Sequence, residues 1–179
     1  MKLLRYLIPL LLFVALAAML YSGLGKDPRV VPSPLVGKPA PAFDLPTLRD
    51  SSLRAGSATL AGKPYLLNVW ATWCVMFREE HETLLSISRT NLVPIVGLDW
   101  KDDHPSALSW LQQLGNPYAE VVTDDDGRVA IDFGVYGAPE TFLVDGKGVI
   151  VHKFIGPLTP GIVERELRPR LAKLEAGAK

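Results

Sequence analysis

Two hydrophobic patterns divide the chain. Residues 6–25 form one uninterrupted stretch without a charged side chain, and Lys2 and Arg5 precede it. From residue 40 onward, short apolar runs alternate with amphipathic segments and with turns that contain glycine, proline or aspartate. The first pattern is typical of a membrane-spanning helix, and the second of a globular α/β domain.

The stretch 6–25 predicts a single transmembrane anchor, because about 20 apolar residues cover a hydrocarbon core about 30 Å thick. Its positive leading end predicts that residues 1–5 stay in the cytoplasm and that the rest of the chain is exported. A cleaved signal peptide is the alternative, since Ala15-Leu16-Ala17 has the small-x-small form of a cleavage site. The apolar run is longer than a typical signal-peptide core, which favours the anchor.

A proline-rich segment follows the apolar stretch. Residues 26–39 contain four prolines and few large side chains, which predicts an extended, semi-stiff linker. The remaining residues, 40–179, are enough for one domain and too few for a second large one.

The pattern within 40–179 predicts a β-α-β-α order, followed by a short strand, a hairpin and a last helix. This order predicts an α/β fold with a central mixed sheet and helices on both faces. Pro94 lacks a donor for the sheet, so regular pairing of the second strand is expected only after it. The predicted strands are 65–70, 92–98, 120–122, 141–144 and 149–154, and the predicted helices are 77–89, 105–114 and 163–174, the last interrupted at Pro169.

Composition excludes several classes of protein. The chain has 19 basic and 19 acidic side chains, whereas a nucleic-acid-binding protein normally has a basic surplus or stripe. Its single cysteine, Cys74, excludes an internal disulfide, a four-thiolate iron–sulfur cluster and a zinc site built on paired cysteines. The three histidines have no partner at ligand spacing, so no metal and no cofactor is expected.

Cys74 is the main candidate for chemistry. It lies where the predicted strand 65–70 gives way to the predicted helix 77–89, behind Trp70 and Trp73. Free N–H groups and the dipole at a helix N-terminus stabilise a thiolate, which favours a reactive cysteine. The alternative is a small buried apolar residue, which is the usual role of an unpaired cysteine.

Five motifs in the domain carry a family resemblance: Leu67–Cys74, Arg78–His81, Trp100–Asp103, Leu114–Tyr118 and Gly134–Phe142. They resemble the DsbE/CcmG proteins, the membrane-anchored thioredoxin-like reductases of cytochrome c maturation. The resemblance implies a thioredoxin-like fold and a periplasmic domain held on the bacterial inner membrane by one transmembrane helix. It also implies reduction of the haem-motif disulfide of apocytochrome c, with the maturation machinery and a membrane thiol reductant as partners.

The resemblance assigns roles to individual residues. Cys74 matches the attacking nucleophile, and Pro139 matches a cis-proline that faces the thiols. Glu80 matches a position that the family keeps acidic and is a candidate acid or base, with a solvated helix face as the alternative. The residues expected to contact a substrate chain are Trp73, Tyr136, Ala138 and Pro139, and Glu140 and Asp99 are further acids expected near the thiol.

The chain departs from the family where a second cysteine is expected. The family has Cys-x-x-Cys, but this chain has Cys74-Val75-Met76-Phe77, so Phe77 occupies the position of the missing resolving cysteine. A mixed disulfide on Cys74 would therefore have no neighbouring thiol to release it. Phe77 is either a core residue in a chain that has given up the dithiol or an altered position in an otherwise working reductase.

Three functions remain open from the sequence. The first is thiol:disulfide exchange through one cysteine, either monothiol or impaired. The second is a non-catalytic thioredoxin-like module that binds apocytochrome c or a maturation partner. The third, a one-cysteine peroxidase, is disfavoured, because such enzymes place a threonine three residues before the cysteine, whereas Thr72 is two residues before Cys74.

Overall fold

The computed structural model describes residues 2–24 and 33–177, with side chains for 6–21 and 33–177. The chain divides into two units, one ending at Pro32 and the other beginning at Ser33. In the first unit, helix α1 spans Lys2–Leu24. No helix among the residues described has both the length and the apolar character needed to cross a membrane. Half of the linker predicted at 26–39, residues 26–32, lies outside the described residues.

A five-stranded mixed sheet forms the centre of the second unit. The strands of this sheet are β3 Tyr65–Trp70, β4 Ile95–Trp100, β5 Glu120–Asp124, β6 Glu140–Val144 and β7 Ile150–Ile155. Their order across the sheet is β5-β4-β3-β6-β7. Strands β3, β4 and β5 are parallel, whereas β6 pairs antiparallel with both β3 and β7. This is the mixed sheet predicted from the sequence.

Helices cover both faces of this sheet. The helices of this unit are α2 Ser57–Leu60, α3 Phe77–Arg89, α4 His104–Leu114, α5 Arg128–Asp132, α6 Pro160–Ile162 and α7 Arg168–Gly177, with a π-helical turn at Val163–Leu167. Leu66 and Trp70 of β3 belong to a core that also contains residues of α3, α4 and α7, whereas Leu67 and Val69 pack with residues of α5. All six residues of β3 are buried, because the strand is central and both of its faces are covered.

Several element boundaries differ from the prediction. The second strand begins at Ile95 rather than at residue 92, because the preceding Pro94 has no N–H to donate and contributes only its carbonyl, which accepts from Leu66. The predicted break at Pro169 takes the form of the π-helical turn just before α7, since this proline cannot donate to the carbonyl of Arg165. A small antiparallel sheet, which was not predicted, pairs β1 Asp44–Pro46 with β2 Arg54–Gly56.

A glycine in β4, Gly97, allows two aromatic rings to pack closely beside β3. A Cβ added to Gly97 would lie 2.8 Å from Trp70 Nε1 and 3.1 Å from ring atoms of Tyr118. The rings of Trp70 and Tyr118 are stacked 5.5 Å apart, so neither can move aside without disturbing the other. Gly97 therefore helps to hold Trp70, the last residue of β3.

We expect Gly97→Ala to lower the free energy of unfolding by about 1–3 kcal/mol, as overpacking in a dense core does. Urea denaturation followed by circular dichroism measures the change. Gly137→Ala is the matched control, because an added Cβ there meets nothing within 4 Å. Equal midpoints for the two variants would contradict this account of the packing.

Candidate active site around Cys74

Cys74 lies in the loop between β3 and α3, at the carboxyl end of the central strand. Its residue is only 8% exposed, whereas the next residue, Val75, is 82% exposed. The thiol donates a hydrogen bond to the carbonyl oxygen of Ala138, at 3.0 Å, and the Cys74 amide donates to Ala71 O at 3.2 Å. The sulfur is thus held against a second loop at the surface of the domain.

That second loop connects α5 to β6 and contains a cis Ala138–Pro139 peptide bond. A buried ion pair holds it in place: Lys153 Nζ of β7 lies 2.9 Å from Glu140 Oε2 and donates to Gly134 O at 2.7 Å. Glu140 Oε1 also accepts from the amide of Tyr136, at 3.2 Å. Both ends of the loop are therefore tied to one buried pair of charges. Lys153 was not predicted to belong to the site, although a lysine within an apolar strand indicates a buried partner of opposite charge.

A third segment, which follows β4, holds the residues just before Cys74. Asp102 accepts hydrogen bonds from the Thr72 amide and from Thr72 Oγ1, the latter at 2.6 Å. The indole Nε1 of Trp73 donates to Lys101 O at 3.1 Å. Thr72 and Trp73 are therefore both hydrogen-bonded to the segment that follows β4. The role of Asp102 was not predicted, because its contact with Thr72 depends on the parallel pairing that brings the carboxyl ends of β3 and β4 together.

Apolar side chains stand exposed around the buried sulfur. Tyr136 is 70% exposed and Trp73 is 53% exposed, and Tyr136 also lies over Lys153 Nζ at 4.6 Å. We call this set the Cys74 surface; it consists of Trp73, Val75, Met76 and Tyr136. A cavity of about 570 Å³ lies elsewhere, between α4 and β5. The Cys74 surface is thus suited to an extended partner rather than to a small enclosed molecule.

Phe77 is the first residue of α3 and is fully buried. Its ring centroid lies 4.9 Å from that of Trp70, 5.6 Å from that of His81 and 5.8 Å from that of Trp110. A side chain with three aromatic neighbours is an integrated part of the core. This packing favours the first of the two interpretations of Phe77.

Glu80 lies one turn further along α3 and is also fully buried. Its carboxyl group accepts from Asn68 Nδ2 and from the amide of Leu158, both at 2.9 Å. Asn68 in turn accepts from the hydroxyl of Tyr118 at 2.7 Å and donates to Thr141 Oγ1 at 2.9 Å. Burial raises the pKa of Glu80 to about 7, although these two hydrogen bonds oppose the shift. Glu80 is therefore a buried network residue and not part of a solvated helix face.

The other expected acids, Asp99 and Glu140, are also buried, at 1% and 2% exposure. Burial raises the pKa of Asp99 to about 8, and the charge of Asp102 adds to the shift. Among the described parts of the chain, no three His, Cys, Asp or Glu side chains are grouped as metal ligands.

Comparison with known proteins shows the family to which the chain belongs. The Redoxin family model matches residues 35–168. A thiol:disulfide interchange protein DsbE of Allochromatium vinosum is 48% identical over 173 residues, which cover 97% of this chain and 96% of that protein. The chain belongs to the DsbE family. The DsbE protein of Escherichia coli K12 is 46% identical over 91% of each chain, and that of Pseudomonas aeruginosa is 45% identical over 94% of this chain and 93% of its own.

Solved structures support the thioredoxin-like fold of this DsbE-family chain. A secreted Mycobacterium tuberculosis disulfide oxidoreductase homologous to E. coli DsbE superposes with a TM-score of 0.61, at 23% identity, over 74% of this chain and 96% of its own. A secreted thiol-disulfide isomerase from Corynebacterium glutamicum gives a TM-score of 0.66, at 19% identity, over 74% and 85%. At these identities the likeness concerns the fold alone.

The raised pKa of Glu80 gives a prediction for stability against pH. Its value is about 7 in the folded state against 4.5 ordinarily, so between these values the folded protein keeps a proton that the unfolded chain has released. The contribution of Glu80 to stability therefore falls as the pH rises through this window, by up to about 1.4 kcal/mol per pH unit. We expect Glu80→Gln to remove this part of the slope, as measured by urea denaturation between pH 5 and 7.

Glu79→Gln is the control for this measurement, because Glu79 lies next to Glu80 on the same helix but is exposed. Its slope should match that of the unsubstituted protein. A Glu80→Gln slope that equals the Glu79→Gln slope would show that Glu80 titrates normally.

Proposed function

We propose that this DsbE-family protein exchanges disulfides through Cys74 alone, in the maturation of cytochrome c. The proposal rests on the different surroundings of Cys74, in the loop after β3, and Phe77, at the start of α3. Cys74 lies beside an exposed apolar surface, while Phe77, where the family has its second sulfur, is packed among three aromatic rings. The site thus retains a nucleophile and lacks a resolving group.

The proposed exchange proceeds in two steps. In the first, the Cys74 thiolate attacks one sulfur of a substrate disulfide, a bond forms from Cys74 to that sulfur, and the other sulfur leaves as a thiolate that takes up a proton. In the second, a separate thiol attacks the mixed disulfide and releases Cys74. Each such exchange replaces one disulfide by another, so a second outside thiol must attack the product to free the last substrate sulfur. The substrate disulfide then gains two electrons, which the two outside thiols lose as they form a disulfide with each other.

The absence of an internal resolving thiol limits the second step. Intramolecular attack by a neighbouring group can have an effective molarity of about 10⁵ M or more, which no free thiol reaches in solution. Cys74 therefore holds a mixed disulfide until an outside thiol, such as that of a membrane thiol reductant, resolves it. The second cysteine of an apocytochrome c haem motif cannot serve for this, because its attack would only re-form the starting disulfide.

The proposal also places the domain on the periplasmic side of the bacterial inner membrane. Residues 6–25 would form the transmembrane anchor, with 1–5 in the cytoplasm and 26–39 as the linker to the domain at 40–179. Its support is the run of 20 uncharged residues with Lys2 and Arg5 before it.

A second candidate function is binding without exchange. The observation that favours it is the Cys74 surface, whose apolar side chains are exposed although the sulfur beside them is almost covered. The loop that carries Tyr136 is held by the buried Glu140–Lys153 pair and would present the same surface whether or not Cys74 reacts. In this case the protein would hold an apocytochrome c or a maturation partner.

Restoring a second thiol tests the exchange proposal. We expect the reduced protein to convert the disulfide-linked dimer of a single-cysteine apocytochrome c peptide into a stable mixed disulfide and one free peptide, because no neighbouring thiol releases the bound peptide. Phe77→Cys should instead release the reduced peptide. Acid quenching followed by mass spectrometry distinguishes the adduct from the free products.

Phe77→Ser is the matched control, since it leaves a similar cavity in the aromatic cluster but adds no thiol. It should accumulate the adduct as the unsubstituted protein does. Full reduction of the disulfide by the unsubstituted protein, with both peptides released as free thiols and no added thiol, would refute the single-cysteine mechanism. Failure of Cys74 to form any adduct would refute exchange altogether.

Binding without chemistry can be measured with a peptide whose cysteines are replaced by serine. We expect Cys74→Ser to leave its affinity within about threefold, and Tyr136→Ala or Trp73→Ala to weaken it about tenfold, as the loss of an exposed aromatic anchor does. Fluorescence anisotropy of a labelled peptide gives these values. Leu53→Ala, another exposed apolar residue, should have no effect. Loss of binding in Cys74→Ser alone would count against the binding module.

A further inference from the structure

A buried carboxyl group lies at the carboxyl end of β4, close to the loop that carries Cys74. Asp99 is 1% exposed, and neither of its carboxyl oxygens has a hydrogen-bond partner of normal geometry among the described residues. In the sheet it is aligned with Trp70 of β3 and with Thr123 of β5. Burying a carboxyl group without a hydrogen-bond partner costs free energy, and burying it as an anion costs more. The surroundings of Asp99 therefore favour its protonated form.

Titratable groups from three segments surround Asp99. Asp102, from the loop after β4, and Asp125, from the turn after β5, both favour its protonated form through their negative charge. Tyr118, just before β5, is in turn affected by the charge of Asp99. His104 Nε2 of α4 lies 2.8 Å from Asp125 and engages part of this acidic cluster. Burial and these neighbours together keep Asp99 protonated at neutral pH.

Asp102, which raises the pKa of Asp99 more than Asp125 does, is also the residue that holds the Cys74 loop. Asp102 binds both the amide and the hydroxyl of Thr72, and Lys101 O binds the indole of Trp73. The residues just after Asp99 are therefore hydrogen-bonded to the residues just before Cys74. A change in the charge of Asp99 would act on the position of the nucleophile through Asp102.

We propose that Asp99 is a positioning residue for Cys74: protonated, it lets Asp102 hold Thr72, and ionised, it repels Asp102 and loosens the Cys74 loop. Asp99 is fixed within a strand, whereas Asp102 is half-buried in a loop, so Asp102 is the group that moves toward water. The almost covered sulfur then becomes accessible to a bulky disulfide. This inference rests on the proposed function for its meaning in exchange, but the contact between Asp102 and Thr72 can be followed without any turnover.

The test uses the full-length protein and two readouts across pH 5–10. The first is the ¹⁵N–¹H resonance of the Thr72 amide, which we expect to shift with a midpoint near pH 8, the pKa of Asp99. The second is the rate of Cys74 alkylation by iodoacetamide. We expect Asp99→Asn, which has the same shape and no charge, to abolish the Thr72 midpoint. Its alkylation rate should equal that of the unsubstituted protein below pH 6 and fall about threefold or more behind it above pH 9.

Two further variants complete the test. Asp132→Asn, an exposed carboxyl group on α5, is the control and should leave both readouts unchanged. Asp102→Asn removes one neighbouring charge, so it should move the titration of Asp99 to lower pH, and it decides the matter if Asp99→Asn does not fold. A Thr72 resonance that titrates equally in Asp99→Asn, or does not titrate in the unsubstituted protein, would overturn the inference. If Cys74 resists alkylation at every pH, the proposed function fails, while the Thr72 titration still decides the role of Asp99.

Discussion

Burial of strand β3 on both faces is the constraint on which the rest of the structure depends. Its apolar side chains join two separate cores, and its carboxyl end delivers the Cys74 loop to the surface. Two loops from other strands meet it there, one after β4 and one before β6, because both strands pair with β3. The sulfur is therefore positioned by the pairing of the central strands, and its own hydrogen bond to Ala138 is the last link in that arrangement.

Around this framework the protein buries several ionisable groups, among them Glu80, Asp99, Glu140 and Lys153. The Glu140–Lys153 pair is satisfied by its own charges and by the loop that it holds, while Glu80 is satisfied by hydrogen bonds from Asn68 and Leu158. Asp99 has no ion pair and no hydrogen bond of normal geometry among the described residues, and its interaction with the Asp102 carboxyl group favours the protonated form. Stability given up at such a position is expected where a site has a function to perform.

The sequence predicted the parts of this structure that depend on local periodicity. The run 65–70 and the helix 77–89 were correct to the residue, because a continuous apolar run and a strong 3.6-residue pattern mark such elements clearly. The three-residue strands β1 and β2 were missed, since elements so short have no period. The contact of Asp102 with Thr72 and the burial of Lys153 could not be predicted, because both depend on strands that meet only in the folded sheet.

The packing of Phe77 also changes how this protein relates to its surroundings. In a dithiol protein, closing a bond between the loop and the helix ties the stability of the fold to the ambient reduction potential. Here aromatic rings pack around the first residue of the helix, and no second cysteine is present to form a disulfide with Cys74. The domain therefore has no internal redox couple of its own, and its occupancy by a covalent partner is set by the local concentrations of thiols and disulfides, in the manner of a ligand-binding equilibrium.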